Sequence, residues 1–272
     1  MEKKMQRFEV KGHADSLLPD GKEWQMIWND EFDGETLDQN KWRYRLHIMG
    51  TRHDTWVDNA THLDGNSNII FELVEKDGHF YSSQLQTGEN YMDRPGKKFE
   101  RYTWPIAKIS KPLFQHKKGY YECRCRLQQK DGWWSAFWMQ SPIQGCTLDP
   151  SFSGVEIDIM ESFSPGSVCH NIHWNGCGDD WQRASKPRFD IDNPEDFHIF
   201  GLLWDDDGYT FYVDGIESWH VDGPVSETEQ FILISTECMG YRKAAQTPDE
   251  RLFEAKGDFF AVDYVRVFEA ND

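Results

Sequence analysis

The sequence predicts an all-β chain whose antiparallel sheets pack as a sandwich, jelly roll or barrel. Three observations carry this. Apolar and polar residues alternate with period two wherever a pattern is legible. Asp-Gly and Gly-Asn pairs of the kind that turn hairpins punctuate the alternating stretches. No segment sustains a 3.6-residue period between helix caps, so the strands have no helical crossovers and must pair antiparallel.

Along the chain, Asn68–Val74 reads NIIFELV, a strand with a mostly apolar character. Tyr121, Cys123, Cys125 and Leu127 alternate with Glu122, Arg124 and Arg126, which only a strand with one apolar and one charged face explains. Thr210–Val213 runs into the Asp214-Gly215 turn, and Phe231–Thr236 and Ala261–Phe268 close the series. The 272 residues hold no internal repeat, low-complexity tract or Pro/Gly/Ser linker, and a β-sandwich of this size is commonly one domain. The expected division is a short N-terminal extension over residues 1–20 and one domain over residues 21–272.

Composition narrows the function. Aromatic residues make up 15% of the chain, more than a core requires, so some rings are expected to face a ligand. With 29 Lys and Arg against 47 Asp and Glu, the formal charge of −18 repels phosphate backbones and anionic membranes, which argues against nucleic-acid and membrane partners. No stretch approaches the ~20 apolar residues of a membrane span. Met1–Arg7 is basic, but Glu9, Lys11, His13 and Asp15 interrupt the next stretch, so no signal-peptide core is read and the compartment stays open. The six cysteines read as free thiols by default; Cys169 and Cys177 flank a turn and could pair. A monomer is expected. Lys41–His53 and Arg94–Arg101 are locally basic and read as loops.

The most informative segment is Gly154–Ser162, GVEIDIMES. Alternation puts Glu156 and Asp158 on one face and Val155, Ile157 and Ile159 on the other. Glu161 lies an odd number of residues after Glu156, which in a regular strand would send it into the apolar layer at a cost of several kcal/mol. A one-residue bulge near Ile159 and Met160 brings it back beside the other two acids. Three carboxylates on one face repel one another and raise at least one pKa, an arrangement suited to pairing an ionised nucleophile with a protonated acid. An acidic solvated face or a cation site are the alternatives, although loops that wrap the ion are the usual calcium solution. The Asp205-Asp206-Asp207-Gly208 run fails the calcium-loop test, since its twelfth position is Ile216, and reads as a hairpin turn.

Glu156-Ile157-Asp158-Ile159-Met160-Glu161 resembles the bulged signature of glycoside hydrolase family 16, as in its laminarinases, agarases, porphyranases and carrageenases. The resemblance covers nearly the whole chain. Trp28–Gly34 is similar to the family's opening strand, Gly119–Arg124 to the strand leading to its cleft, and Gly132–Met139 to its Trp-rich element with Ser135 in place of Pro. Phe197–Trp204, Phe211–Gly215 and Val262–Val267 also match. The resemblance implies a β-jelly roll of two curved antiparallel sheets with a concave cleft, and an endo-acting retaining β-glycanase that needs no catalytic cofactor.

It further implies Glu156 as nucleophile, Glu161 as general acid/base and Asp158 as the auxiliary carboxylate. Trp134 and Trp138, four apart and thus on one strand face, are the expected exposed sugar platforms, while Trp133 points the other way. His173 and Trp174 are expected beside the catalytic strand, and Asn59 and Glu237 in the donor region. His170 and His173, three apart, fall on opposite faces and make no metal pair. Relatives often carry a structural calcium, here expected in part on Glu31 and Asp263. A polysaccharide or oligosaccharide is the expected partner. Among substrates a β-1,3- or mixed β-1,3/1,4-glucan leads, because the net charge disfavours long-range attraction of sulfated galactans. A β-galactan or host-glycan hydrolase, a transglycosylase and a non-catalytic lectin are the rivals, and the stretches Arg43–Trp56 and Asn175–Arg188, taken as loops particular to this chain, leave the glycan open.

Overall fold

The computed structural model describes residues 5–45, 55–90, 110–176, 178–241 and 247–271. Cys177 and the basic stretch Arg94–Arg101 lie outside them, as does most of Lys41–His53. Helix is confined to single turns among the described residues, including α1 (Pro150–Ser153) and α2 (Leu252–Ala255). None is long and apolar enough to cross a membrane.

Two antiparallel sheets form the body. The outer sheet has the order β17 (Ile216–Val221), β16 (Gly208–Val213), β15 (His198–Asp205), β10 (Gly119–Arg126), β19 (Phe259–Asn271), β6 (Ile69–Glu72), β5 (Thr61–Leu63), with β3 (Glu23–Asp30) also paired to β19. The cleft sheet has the order β14 (Gln182–Asp190), β13 (Ser167–Trp174), β12 (Glu156–Ser164), β11 (Trp133–Gln140), β18 (Phe231–Cys238), β9 (Gln84–Gln86), β4 (Arg43–Tyr44). Two hairpins complete the strands: β1 (Met5–Phe8) with β2 (Ser16–Pro19), and β7 (Val74–Lys76) with β8 (His79–Tyr81). Fold-determining alternation is visible in the burial. Cys123, Cys125 and Leu127 from the outer sheet meet Phe137, Met139, Ile157, Ile172, Ile232 and Ile234 from the cleft sheet in one apolar core. That layer fixes which face of β11, β12 and β13 is left to face the cleft.

Two segments depart from the sequence-based expectation. The apolar stretch Asn68–Val74 is not one strand: the Leu73 N–H still donates to Asp258 O (2.9 Å) beside β19, but from Val74 the chain leaves the outer sheet to form the β7–β8 hairpin. Gln182–Asp190, expected within a loop, is the edge strand β14. It is mostly exposed, and its core contacts, Ala184 and Phe189, lie an odd number of residues apart across a register shift, so alternation leaves little hydrophobic trace; Pro187 is tolerated because the strand lies at an edge. The Asp214-Gly215 turn does join β16 to β17, with both residues at positive φ (50° and 77°), the conformation of a type I′ hairpin turn.

Residues 5–19 are docked on the outer face of the outer sheet. Leu18, Trp24, Tyr120, Leu203, Tyr212 and Phe268 form a second apolar cluster there, with Met5 and Phe8 packed against it. Beneath the hairpin lies a buried polar network. Arg266 makes a two-point pair with Glu31 (2.9 and 2.7 Å) and donates to Ala14 O and Ser16 Oγ, each at 2.8 Å. Glu122 accepts from the Leu17 N–H (2.9 Å) and the Tyr264 hydroxyl (2.7 Å), and burial pushes its pKa up to about 7.

Candidate active site

The open face of the cleft sheet carries a cleft of about 760 Å³. Its floor is built by β11, β12 and β13. On β12 the register against β11 pairs Trp138 with Asp158 and Phe137 with Met160, so Ile159 is the extra residue of a bulge. Ile157, Ile159 and Met160 are all fully buried in the core, while Glu156, Asp158 and Glu161 all line the cleft. The bulge therefore returns Glu161 to the face of the other two acids.

The bulge is held from inside. His170 is fully buried on the core side of β13, and its Nδ1 lies 2.6 Å from Ile159 O while its Nε2 lies 2.7 Å from Ser218 Oγ. A carbonyl can only accept, so Nδ1 carries the proton and Nε2 accepts from the serine hydroxyl. Burial lowers the His170 pKa to about 4, keeping the ring neutral in this role. His173, three residues on, faces the cleft instead, with Nε2 3.2 Å from Asp158 Oδ2.

Each acid has its own environment. Glu156 Oε2 accepts from Gln140 Nε2 (2.6 Å), and the Gln140 carbonyl is held in turn by the Asn90 amide. Glu161 Oε2 accepts from Asn171 Nδ2 (2.6 Å). Burial, then the charges of Asp158 and Glu156, push the Glu161 carboxyl well above the usual range, outweighing the Asn171 hydrogen bond. The result is a carboxyl that keeps its proton to higher pH than an ordinary one, as acid-assisted displacement requires. Glu156, Asp158 and His173 also bring ligand atoms within 4.8 Å of one another, the group among the described residues with metal-like spacing.

Trp134, Trp138 and Glu237 line the cleft as expected, but the two indoles differ. Trp138 is half-buried, its Nε1 donating to Ser235 Oγ (3.0 Å). Trp134 is only 7% exposed, because Phe163 lies against it with ring centroids 5.3 Å apart, so it forms floor rather than an open platform. Trp133 is fully buried in the core, as alternation predicts. Replacing Trp138 with Ala is expected to weaken polysaccharide binding by roughly 1 to 3 kcal/mol, the range for aromatic platforms, as read by affinity electrophoresis; an unchanged affinity would show that the ring does not stack on sugar.

Two expected residues lie elsewhere. Trp174 comes directly after cleft-facing His173 and so points back toward the core, where it packs. Asn59 is exposed on a one-turn 3-10 helix (Asp58–Ala60) and does not line the cleft; the chain reaches the cleft at Trp56, whose Nε1 donates to Thr236 O (2.9 Å), and then turns away. The sequence reading missed Trp181, which stacks on His173 (5.4 Å, 18° between planes), and the buried Arg45, whose guanidinium lies 5.5 Å from the Trp138 ring. It also missed Gln140 and Asn171. Their positions on the cleft-facing register of β11 and β13 were the available signal.

Known proteins resemble this chain in sequence and in fold. The glucan endo-1,3-β-glucosidase of Niallia circulans is 28% identical over 267 residues, 90% of this chain and 38% of that protein. A β-porphyranase of Zobellia galactanivorans is 24% identical over 233 residues, 72% of this chain and 64% of that protein. The chain thus spans well under half the length of the first of these relatives. In fold it resembles the endo-β-1,3-glucanase of Pyrococcus furiosus, with a TM-score of 0.69 at 22% identity, covering 93% of this chain and 97% of that one. The model of glycosyl hydrolases family 16 matches residues 96–234, just over half of the chain, a span that includes the whole carboxylate-bearing strand β12, and the chain belongs to that family.

Proposed function

We propose that this chain is an endo-acting retaining β-glycanase whose substrate is a β-1,3- or mixed β-1,3/1,4-glucan. The observation that carries the reading is the bulged strand with Glu156, Asp158 and Glu161 on one face of an open cleft. In this reading the Glu156 carboxylate, oriented by Gln140, attacks the anomeric carbon while Glu161 gives its proton to the departing glycosidic oxygen. Glu161, then ionised, takes a proton from water, and the hydroxide oxygen displaces Glu156. Asp158, between them and beside His173, keeps negative charge near the reacting carbon and helps hold Glu161 protonated. The glucan assignment draws on relatives named for 1,3-glucan hydrolysis and on a neighbour of the same fold with that name. A lectin would keep the aromatic cleft but has no use for a raised-pKa acid beside two more carboxylates.

The test is stereochemical. NMR of a laminarin digest is expected to show the β-anomer of the new reducing end first, with the α-anomer growing only by mutarotation. An α-anomer appearing first would transfer the nucleophile role to water. No catalytic cofactor enters these steps.

The calcium expected on Glu31 and Asp263 does not fit the donor set. Both Glu31 oxygens are taken by the buried Arg266, and Asp263 Oδ2 accepts from Arg124 at 2.5 Å. A cation there would have to displace guanidinium groups, and for the buried Arg266–Glu31 pair removing one partner costs about 3 to 5 kcal/mol. Melting with and without EDTA is accordingly expected to give the same Tm, and a drop on chelation would restore a metal to this site.

A further inference from the structure

The edge strand β14 carries three cations in nine residues of a chain whose formal charge is −18: Arg183 and Arg188 line one wall of the cleft, while Lys186, at its rim, pairs in register with the core-side His170. Their neighbours are aromatic rather than acidic. Arg183 lies 5.4 Å from the Trp181 ring centroid, Lys186 5.6 Å from Phe189 and Arg188 5.1 Å from Phe163. Among the described residues none of the three forms an ion pair, although Asp179 and Asp180 stand in the preceding turn. A ring accepts the flat face of a guanidinium but leaves its in-plane N–H donors for another partner, and that donor fork matches carboxylate and sulfate oxygens.

Arg183 is also in register with the reacting groups. Arg183 pairs with His173, which pairs with Glu156, and Ser185 pairs with Asn171, which pairs with Asp158. Two strand spacings, about 10 Å, separate β14 from the carboxylate strand, so a sugar bound beside the scissile bond meets this wall. Trp181, 40% exposed at its end, leaves part of its indole open to a sugar ring although His173 and Arg183 lie against it. The whole-chain charge does not decide what happens here. At physiological salt the Debye length is about 8 Å, so a bound group feels the side chains it touches and little of the distant acidic surface.

We propose that the β14 wall recognises a negatively charged substituent, a sulfate ester or a carboxylate, on a sugar of the glycan, with Arg183 and Arg188 taking its oxygens and Trp181 stacking on its ring. This rests on the glycanase reading and specifies its substrate further: a substituted rather than a plain glycan.

Matched pairs test it: laminarin against sulfated laminarin, curdlan against carboxymethyl curdlan, and desulfated against native porphyran. Each is used in affinity electrophoresis and in kcat/KM measurements with the full chain. At least one charged member is expected to be bound and cleaved at least about fivefold better than its neutral parent, the scale of one or two partly exposed ion pairs. The advantage should shrink when NaCl is raised to about 0.5 M and approach parity in an Arg183→Gln/Arg188→Gln double variant. Preference for sulfated members alone assigns sulfate, and for the carboxymethyl member alone, carboxylate. If neutral members are bound as well as charged ones, or no charged member retards the protein, the proposal is overturned. Charged-selective binding without cleavage of any polymer would overturn the glycanase reading and leave this one standing.

Discussion

A Glu156→Ala variant is expected to hydrolyse glycan slower by on the order of 10⁴-fold or more, because no other group can form the covalent intermediate and the remaining site supplies only binding and acid assistance. Folding should survive. Glu156 is half-buried and its removal relieves repulsion with Asp158, leaving only Gln140 without its carboxylate partner. The comparison is kcat/KM by reducing-end assay alongside Tm. Azide should restore turnover by entering the vacated face and yielding an α-glycosyl azide, the inverted product. Activity within tenfold of the parent, or a β-azide, would assign the nucleophile elsewhere.

The second large effect is at Glu161. Glu161→Gln should lose roughly 10² to 10⁴ in rate on natural glycans, the usual worth of a general acid, while aryl glycosides with good leaving groups retain the first step. Here azide rescue of Glu161→Ala should give the β-azide, since it intercepts the glycosyl-enzyme. The pH dependence carries a sign. The Glu161 pKa is raised by burial and by Asp158 and Glu156, so the proton needed for catalysis is present at low pH and is lost as pH rises through that value. The alkaline limb of kcat/KM should therefore follow Glu161, and Asp158→Asn, which removes one raising charge, should move that limb to lower pH. A limb unmoved by Asp158→Asn would separate the two groups.

These predictions rest on a segment whose geometry was legible in the sequence for a physical reason. A glutamate cannot be buried unpaired among Val155, Ile157 and Ile159, so the odd spacing to Glu161 forced a bulge, and the register places that bulge at Ile159. The sandwich was legible on the same principle wherever one strand face is apolar. It was illegible in β14, where a register shift breaks the spacing of the core-packed Ala184 and Phe189, and at Leu73, where the chain passes from pairing with β19 to pairing with β8 without any change in hydropathy. Trp174 shows the limit of resemblance: proximity in sequence to the cleft residue His173 placed it on the opposite face. His170 shows another. An isolated histidine gives no sign in sequence that its partner will be the carbonyl of a bulged residue eleven positions away.

The bulge also determines where this strand can tolerate a change of length. In a regularly alternating stretch such as Glu156–Asp158, deleting one residue inverts every side chain beyond the cut, sending a carboxylate into the core and an isoleucine into solvent. At Ile159 and Met160, two consecutive residues already point inward, so losing one restores plain alternation and leaves Glu156, Asp158 and the final glutamate on the cleft face. The loss falls on the interior: one core side chain and the carbonyl that His170 grips. Strand β12 thus has, between Asp158 and Glu161, a place at which the reading frame of its two faces can shift by one without exchanging them, and the interior rather than the open face determines whether that residue stays.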